Sequence, residues 1–417
     1  MSVPLPLRVL LVGGSNLHSP DEKQFLEFAR QLAGRGHRIL FALRDGAPKY
    51  GREEHVELPA GMSLCSYRLR GRRARQANVD AVRRFAPTLI HALYPRGTVL
   101  AASSHFSRVT GAPLLVHVGD DEWGLMSGPP SSGAAEGIEL LARRVVGRLH
   151  PWVWPYSTPG WLRFAARRAA AFDVLTPALR EAVKERLGRD STVILPAFDS
   201  AAPTDAESRQ LIPSDGDGPV AIYTGAVGAV HEADFRLGLR ALAEVQRRGR
   251  TILFVHAGPV DERRHPLTLA AQEGMAPGTA TALGYVPMAE LPGLLKQAAV
   301  LLQPGAPSEF NRLRLPSKLQ AYLASGTPTI TFAVGFGELL QDRREVLKTY
   351  TGDAGELADR IIEVLEDAEL RATLAEGGPA AARRLFDPEA NAARLETHYL
   401  TVLETAHCLD DRGSRLG

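Results

Sequence analysis

The sequence has only two cysteines, Cys65 and Cys408, among 417 residues, and it has no long hydrophobic run. Two thiols are too few for a disulfide framework or a zinc cluster. No apolar stretch reaches the ~18 residues that span a bilayer. The opening residues, MSVPLPLRVLLVGG, carry one arginine and a short apolar run, which predicts a buried strand rather than a secretory signal. These absences predict a cytoplasmic protein.

Lysine is scarce as well. Lysine and arginine together number 49, but only six are lysine, at positions 23, 49, 184, 296, 318 and 348. GC-rich coding explains the bias, and it makes a lysine inside a motif more informative. The formal net charge of +2 produces too weak an electrostatic attraction to favour nucleic acid as a partner. The hydrophobic fraction of 45% and the charged fraction of 23% are typical of globular domains and exclude wholesale disorder.

Strand-like apolar runs alternate with helical patterns along the chain. The runs lie at 8–12, 38–43, 88–92, 113–118, 173–176 and 192–195, and again at 220–224, 251–257, 280–283, 300–303 and 329–332. This alternation predicts an α/β fold of parallel, doubly wound sheets. Residues 199–218 are small, polar and contain proline and glycine, which is typical of a linker. The sequence therefore predicts two domains, 1–200 and 201–385.

The most informative stretch is SEFNRLRLPSKLQAYLASGTP at 308–328. A helix is predicted over 316–325, with Pro316 in its first turn and Ser317 and Lys318 at its N-terminus. Free backbone N–H groups and the helix dipole attract anions there, and Lys318 adds a full charge. Three polar residues precede the helix in a predicted loop: Asn311, Arg312 and Arg314. This pattern favours a diphosphate cradle, and the alternative is a solvated basic loop before an ordinary helix.

A second polar cluster, HVGDDEW, begins at the end of the strand predicted over 113–118. It contains His117, Asp120 and Asp121, and ligands of open parallel sheets bind at the carboxyl ends of the strands. The cluster is therefore a candidate site. The alternative interpretation is an acidic loop with His117 buried in the sheet.

Several segments, in the right order, resemble glycosyltransferase family 4, the retaining enzymes with the GT-B fold. LPSKLQAYLASGTPTI resembles the family's donor-site element, GGSNLHSPDEKQFLEFARQLAGRGHRI its opening glycine loop and first helix, and LGYVPMAELPGLLKQAAVLLQPG its nucleobase-side passage. The cluster HVGDDEW resembles a variant found in polysaccharide-making members. The resemblance covers nearly the whole chain. It implies two Rossmann-like domains facing a central cleft, with a helix over 386–417 returning to the N-terminal domain.

The resemblance also implies an activity. The expected reaction moves a sugar from a nucleotide-diphosphate sugar to a glycan, lipid-linked or other hydroxyl acceptor, with retention, in polysaccharide biosynthesis. The C-terminal domain is expected to hold the donor and the N-terminal domain the acceptor. No cofactor or metal is expected, because GT-B enzymes usually need none and because Asp120-x-Glu122 is not the Asp-x-Asp pattern of metal-dependent transferases.

Site residues follow from the matching positions. Lys318, Arg314 and the helix N-terminus at Ser317 are expected to stabilise the departing diphosphate. His117 is expected to contact sugar hydroxyls, and Asp120 or Asp121 to orient the acceptor. One of these two carboxylates would be the nucleophile of a double displacement or the general base of an inverting reaction. The predicted donor-binding set is completed by Gly13, Gly14, Gly225, Gly228, Arg236, Val286, Pro287, Glu309, Asn311, Arg312 and Pro316.

Two positions depart from the family pattern. Family members commonly carry two glutamates in this region, of which the second falls on Ala321 and the first near Leu313, with Glu309 out of register. A lysine that is common after the first strand of the C-terminal domain is missing, which leaves Arg236, Arg240 or His231 as substitutes. Two rival functions therefore stay open: a catalytically silent partner subunit and a nucleotide-sugar epimerase.

Tryptophan and arginine are interleaved in residues 143–168, RRVVGRLHPWVWPYSTPGWLRFAARR. This composition suits an anionic membrane interface, and it predicts a peripheral contact at the inner membrane face that brings a lipid-linked acceptor within reach. The alternative is a packing helix with a solvated basic edge. A second basic run, RLRGRRAR at 68–75, is predicted to be a surface loop.

Overall fold

The computed structural model describes residues 6–14, 17, 20–45, 58–68, 72–124, 159–198, 212 and 218–415. The chain divides into two compact units. Unit 1 comprises Met1–Phe198 together with Asp387–Gly417, and unit 2 comprises Asp199–Phe386. The predicted linker at 199–218 lies outside the described residues except for Ile212 and Gly218.

Unit 1 is built on a parallel sheet of seven strands in the order β3-β2-β1-β4-β5-β6-β7. The strands are β1 (Arg8–Gly13), β2 (Arg38–Arg44), β3 (Met62–Tyr67), β4 (Leu89–Ala92), β5 (Leu114–Val118), β6 (Ala171–Val174) and β7 (Thr192–Val193). Helices are numbered along the whole chain; those of unit 1 are α1 (Pro20–Gly34), α2 (Arg72–Phe85), α3 (Gly97–Thr110), α4 (Pro159–Arg168), α5 (Pro177–Leu187) and, near the C-terminus, α13 (Pro388–Arg415).

Unit 2 repeats this plan with six parallel strands in the order β10-β9-β8-β11-β12-β13. The strands are β8 (Val220–Thr224), β9 (Leu253–Ala257), β10 (Ala280–Gly284), β11 (Val300–Gln303), β12 (Thr329–Phe332) and β13 (Leu347–Thr349). The helices are α6 (Glu232–Arg247), α7 (Pro266–Gln272), α8 (Leu291–Lys296), α9 (Glu309–Leu313), α10 (Lys318–Ser325), α11 (Ala354–Glu366) and α12 (Ala368–Phe386). Short 3-10 turns lie at Glu262–Arg264 and Gly335–Leu339.

Both sheets confirm the predicted parallel, doubly wound arrangement. Strand order reverses between β1 and β4 in unit 1 and between β8 and β11 in unit 2, and these switch points are where such sheets bind ligands. The central strands β4, β5 and β11 are buried along their whole length, because helices cover both faces of a parallel sheet. Polar side chains that bind ligands are therefore confined to the strand ends.

The C-terminal helix α13 packs within unit 1. Its Asn391 donates a hydrogen bond from Nδ2 to the Pro196 carbonyl at 2.9 Å, and its Glu396 pairs with Arg35 at 2.7 Å. Tyr399 is fully buried, with its hydroxyl 2.8 Å from Nδ1 of His91 on β4. These contacts tie the last helix to the first strands and helices of the chain.

Local sequence signals explain where helix α5 begins and ends. Thr176 is its N-cap, with Oγ1 accepting a hydrogen bond from the Leu179 amide at 3.2 Å, and Pro177 takes the first helical position. Gly188 closes the helix in the left-handed conformation, at φ 66°, which glycine adopts without a steric cost.

The structure corrects three expectations about the elements. Within the predicted surface loop at 68–75, residues 72–75 form the first turn of helix α2, and β3 precedes it. Asn311 and Arg312 lie on the short helix α9 rather than in a loop. Helix α10 begins at Lys318 instead of Pro316.

The basic aromatic segment at 143–168 is described only from residue 159. There it forms helix α4, and Trp161 is buried against Gly97, where an added Cβ would lie 2.6 Å from the indole Nε1. This tryptophan packs inside unit 1. Residues 143–158, with Trp152 and Trp154, lie outside the described part of the chain. Among the described helices, none has the length and apolar character that crossing a bilayer requires.

Replacing Thr176 tests the cap of helix α5. Thr176→Ala removes the acceptor of the Leu179 amide, and we expect a loss of about 1 kcal/mol of stability. For a unit of this size the corresponding fall in Tm is roughly 2–4 °C in calorimetry. Thr176→Ser keeps the hydroxyl and serves as the matched control. Equal losses in the two variants would contradict the capping role.

Candidate functional site

Two glycine loops touch at the carboxyl edge of the sheet in unit 2. Gly225 follows β8 with φ 103°, a conformation that favours glycine. Gly258 follows β9, and an added Cβ there would lie 2.5 Å from the carbonyl oxygen of Gly225. The Gly258 amide donates to the Gly284 carbonyl at 2.8 Å, so the loop after β10 joins the same edge. Glycine is required here because the backbones pack directly on each other.

His256 holds the first of these loops and was not singled out from the sequence. Its side chain is buried, and Nε2 lies 2.8 Å from the Gly225 carbonyl. Because a carbonyl only accepts, Nε2 carries the proton. Burial lowers the pKa of His256 to about 4, so the ring is neutral at physiological pH. Its sequence signal was weak: one histidine within an apolar run.

Lys318 lies beside the Gly225 loop. Its Nζ is 3.3 Å from the centroid of the Tyr223 ring, a cation–π contact, and about 4.0 Å from where a Cβ on Gly225 would be. Nζ makes no hydrogen bond or ion pair to a described residue. Burial, and then the charge of Arg314, hold the pKa of Lys318 well below its usual value. An anion bound at this loop would raise that pKa again.

The carboxylate of Asp234, on the first turn of α6, organises the neighbouring residues. It accepts hydrogen bonds from Arg314 and from Nδ2 of Asn311, both at 3.0 Å, and from the Ala306 amide at 3.3 Å. Arg314 also donates to Oδ1 of Asn311 and to Nδ1 of His231, both at 2.8 Å. Asp234 was missed from the sequence because its partners lie about 70 to 80 residues further along the chain.

Arg314 is thus held by protein groups on three of its nitrogens. His231 accepts from it, so the proton of this ring lies on Nε2, and burial followed by the charges of Arg314 and Lys318 lowers the pKa of His231 to about 3. Among the three possible substitutes for the missing lysine, His231 is therefore the one beside Arg314. The contact of Arg314 with a diphosphate stays a prediction.

The charged side chains of four other candidates form ion pairs with their neighbours. Arg236 binds Glu273 at 2.7 Å and Glu232 at 3.0 Å, and Arg240 lies 3.4 Å from the same Glu273. Glu309 and Arg312 pair with each other at 2.9 Å. Their charges are engaged with one another, and their contact with a nucleotide stays untested.

The remaining predicted residues shape the backbone around the centre. The Gly228 carbonyl accepts from the His231 amide at 2.9 Å, and the Pro316 carbonyl accepts from the Leu319 amide at 3.0 Å. Ser317 precedes α10, but its side chain makes no capping hydrogen bond. Two further predicted residues lie in the turn after β10: Val286 and Pro287.

Ala321 lies on helix α10, next to Tyr322. Its side chain packs against a hydrophobic cluster that contains Tyr322 and Ile222. The Tyr322 hydroxyl accepts from the Thr224 amide at 2.7 Å and so fixes the end of β8. Position 321 is therefore a packing position, and its side chain offers no hydrogen bond to a ribose.

In unit 1, Gly13 and Gly14 are explained by contacts within the protein. The Gly14 amide donates to Oε1 of Glu22 at 2.9 Å and lies 2.5 Å from the Tyr94 hydroxyl. An added Cβ on Gly13 would lie 2.7 Å from the same Glu22 oxygen. Glu22 and Tyr94, which sequence reasoning missed, thus hold this loop, and a contact of Gly13 or Gly14 with a sugar stays a prediction.

His117 lies at the end of β5, next to Asp173 on β6. The two residues are register partners in the parallel sheet, and Nδ1 of His117 is 2.5 Å from Oδ2 of Asp173. The other oxygen of Asp173 is 2.8 Å from Nε2 of His91. All three side chains are buried. His117 is therefore buried in the sheet, as the alternative interpretation expected. Its ring is hydrogen-bonded to the Asp173 carboxylate and does not pack only against apolar groups.

These three side chains are the kinds that hold metal ions, and their atoms lie within 4.8 Å of one another. Two ligands of a tetrahedral zinc ion, each about 2.0–2.1 Å from the metal, are more than 3 Å apart. The contacts of 2.5 and 2.8 Å are instead hydrogen-bonding distances. His117 and Asp173 are hydrogen-bonded, whereas Nε2 of His91 and Oδ1 of Asp173 lie close together without hydrogen-bond geometry.

The two acidic candidates after β5 differ in accessibility. Asp121 is 2% exposed, and its Oδ1 accepts from the Gly124 amide at 2.9 Å. Asp120 is half-buried, and its Oδ1 accepts from the Asp121 amide at 2.8 Å. Glu122 is buried 3.4 Å from Arg96. Of the two aspartates, Asp120 is the more accessible.

Residues 218–367, which lie within unit 2, match the family model described as Glycosyl transferases group 1. Among curated proteins, no sequence matches the chain. Solved structures match nearly the whole fold. HepE of Anabaena in complex with UDP-glucose has 16% identity and a TM-score of 0.65, covering 94% of this chain and 99% of its own.

Two further structures are similar at the same level. Sucrose-phosphate synthase of Thermosynechococcus elongatus has 16% identity and a TM-score of 0.66, with 95% of this chain and 99% of its own covered. WaaG, a glycosyltransferase involved in lipopolysaccharide biosynthesis, has 14% identity and a TM-score of 0.58, with 92% and 98% covered. The predicted fold class is confirmed: two parallel-sheet α/β domains of the GT-B type.

The small number of lysines makes the charge of Lys318 measurable. In protein labelled with carbon-13 at lysine Cε, we expect one of the six signals to titrate well below the others and to vanish in Lys318→Arg. Lys184, exposed and paired with Asp190, is the internal reference. Titration of all six signals in the range of free lysine would contradict the lowered pKa.

Adding UDP is expected to raise the titration point of that same signal. At a pH below the pKa that Lys318 has in the free protein, its amine is charged with or without ligand. Between the free and bound pKa values, binding must take up a proton, so the affinity for UDP falls as the pH rises through that window.

Gly258→Ala tests the contact between the two glycine loops. A Cβ at this position meets backbone atoms of Gly225 at 2.5 to 2.9 Å, so the loop must shift. If the shift of the loop costs about 1.4 kcal/mol of binding free energy, the Kd for the nucleotide rises roughly tenfold. Calorimetric titration measures this Kd. Gly34→Ala, where an added Cβ meets nothing within 4 Å, is the control. Unchanged affinity in Gly258→Ala would contradict a role for this loop in binding.

Proposed function

We propose that this protein is a glycosyltransferase that moves a sugar from a UDP-sugar to a hydroxyl acceptor with retention at the anomeric carbon. The observation that carries the proposal is Lys318 at the touching loops of Gly225 and Gly258, at the switch point of unit 2. UDP is the proposed nucleotide because the HepE structures contain UDP or UDP-glucose. Glycan or lipid-linked acceptors in polysaccharide assembly, and a cytoplasmic location, follow from the family resemblance.

The chemistry requires stabilisation of the charge that develops on the leaving diphosphate. Lys318 supplies a cation next to backbone that a phosphate can approach closely, since Gly225 has no side chain. Helix α10 begins at Lys318, so the positive end of its dipole lies at the same place and favours an anion there. Arg314, held by Asp234, keeps a second positive charge near Lys318.

Residues of unit 1 are proposed to act on hydroxyl groups. His117 offers Nε2, since its Nδ1 is bound to Asp173. Asp120 is proposed to orient the acceptor in preference to Asp121, which is almost fully buried. In the proposed retaining step, the departing phosphate oxygen takes the proton of the acceptor hydroxyl on the face from which it leaves, so no protein nucleophile and no metal is needed.

Nucleotide binding and turnover test the proposal together. In a thermal-shift screen of UDP, GDP, ADP and dTDP and their sugars, we expect one nucleotide to stabilise the protein, by about 2.7 kcal/mol at a concentration of 100 Kd. Lys318→Ala should abolish this shift and turnover, whereas Lys296→Ala, on helix α8, should leave both unchanged. The anomeric coupling in the product's proton NMR spectrum reports retention or inversion.

Three outcomes would overturn the parts of this proposal separately. A chain that binds no nucleotide would favour the silent partner subunit. Epimerisation of the donor without transfer would favour the epimerase. Loss of activity in EDTA, restored by a divalent cation, would contradict the metal-independent step.

A further inference from the structure

The guanidinium of Arg314 is enclosed by other parts of unit 2. Its Nε donates to Oδ1 of Asn311 at 2.8 Å, and its two terminal nitrogens donate to Nδ1 of His231 at 2.8 Å and to Oδ2 of Asp234 at 3.0 Å. The ring of Phe310 lies against it, with its centroid 4.5 Å from Cζ. The residue is only 6% exposed. A guanidinium that is engaged on every nitrogen and buried in this way is part of the protein framework rather than an open binding group.

Asp234 fixes this arrangement. Its Oδ2 accepts from Arg314 and from Nδ2 of Asn311, both at 3.0 Å, and its Oδ1 accepts from the Ala306 amide at 3.3 Å. Asp234 lies on the first turn of α6, whereas its three partners lie between β11 and α10. One carboxylate therefore joins helix α6 to the segment that leads into Lys318.

The pair of Asp234 and Arg314 acts on the charge of Lys318. Burial is the main cause of the lowered pKa of Lys318, and two charges act after it. The Arg314 guanidinium opposes a proton on the amine, and the Asp234 carboxylate favours one. Because the two charges are opposite and lie side by side, the pair disturbs the amine less than Arg314 alone would.

The other titratable groups around this amine carry no charge at neutral pH. Nζ of Lys318 lies 3.3 Å from the centroid of the Tyr223 ring, and burial raises the pKa of Tyr223 to about 12. Two imidazoles lie nearby, and burial lowers the pKa of His231 to about 3 and that of His256 to about 4. Within the described part of the chain, the charges that act on the amine are therefore those of the Asp–Arg pair.

We propose that Asp234 is a positioning residue of the donor site and that Arg314 is a buried part of its framework, so that the diphosphate meets Lys318 and not Arg314. The identity of this anion rests on the proposed function. Asp234 touches no substrate. It holds Arg314 in place and offsets the charge that this arginine directs at Lys318. The expected contact of Arg314 with the diphosphate is thereby replaced by an effect that passes through Lys318.

Replacing the two members of the pair should move the titration of Lys318 in opposite directions. In Asp234→Asn the charge of Arg314 is no longer offset, so the carbon-13 signal of Lys318 should titrate at a lower pH than in the natural protein. In Arg314→Gln it should titrate at a higher pH. A merely structural role predicts a rise in both variants, because a loosened site lets water reach the amine. A rise in Asp234→Asn would overturn the proposal.

Two further variants separate charge from loosening. Asn311→Ala removes hydrogen bonds to both members of the pair but no charge, so Lys318 should titrate as in the natural protein. Asp359→Asn breaks an exposed Asp–Arg pair, with Arg248, and should also leave the signal in place. If Asp234→Asn does not fold, Arg314→Gln still decides the question. A rise no larger than that in Asn311→Ala would overturn the proposal.

The double variant Asp234→Asn with Arg314→Gln tests whether Arg314 binds the diphosphate. Both charges are gone, so the titration of Lys318 should return towards its natural position. The Kd for UDP, measured at a pH at which Lys318 is charged, should stay within about threefold of the natural value, whereas loss of a direct charged hydrogen bond would raise it roughly tenfold or more. A rise of that size would overturn the framework role of Arg314.

The pH profile of kcat/KM gives a readout that loosening alone would not move. It reports groups of the free enzyme, so its high-pH limb should shift to lower pH in Asp234→Asn by the same interval as the Lys318 signal. Between the free and bound pKa values of Lys318, each unit of this shift should raise the Kd for UDP about tenfold. An equal loss of activity at every pH would overturn the proposal. A protein that binds no nucleotide but shows the opposite shifts of Lys318 would overturn the proposed function and retain the positioning by Asp234.

Discussion

Parallel sheets buried on both faces impose the constraint on which both units depend. Helices cover each face, so the strands are apolar along most of their length and polar side chains gather at the strand ends. In unit 2 this confinement brings Gly225, Gly258 and Lys318 together at the switch point. In unit 1 it places His91, His117 and Asp173 on neighbouring strands. Both candidate sites therefore result from the same parallel-sheet topology, which occurs once in each unit.

Each site is organised by one carboxylate that bridges cationic or proton-donating groups. Asp234 joins Arg314, Asn311 and the Ala306 amide, and so holds the segment after β11 against helix α6. Asp173 joins two imidazoles in the interior of unit 1. A buried charge is tolerated only when it is paired and hydrogen-bonded. Removing either carboxylate would leave buried donors without an acceptor, so these two residues fix side chains that are far apart in sequence.

Much of the fold was predictable because its signals are local. Apolar runs marked most strands, and glycine or proline marked the helix ends. The exceptions were β3, which has half-exposed polar positions, the three-residue strand β13, and α2, where arginines conceal the buried Val79 and Val82. Lys318 and Gly225 were predictable from their motif. His256, Asp234 and Asp173 were not, because their roles depend on strand register and on contacts across 31 to 80 residues.

The charge balance around Lys318 supports the proposed binding of an anion. Arg314 is paired with Asp234, whereas Nζ of Lys318 lies over the Tyr223 ring and has no ion pair within the described residues. Burial and the charge of Arg314 lower the pKa of Lys318, and the charge of Asp234 only partly opposes them. A partly buried amine without a counterion costs stability that an apolar side chain of similar length would not. The lowered pKa of Lys318 limits this cost, because the amine loses its proton readily. A diphosphate brings the missing negative charge, and the amine then regains the proton. A bound diphosphate would offset this cost, and this supports the proposed nucleotide binding at Lys318 although position 321 is alanine.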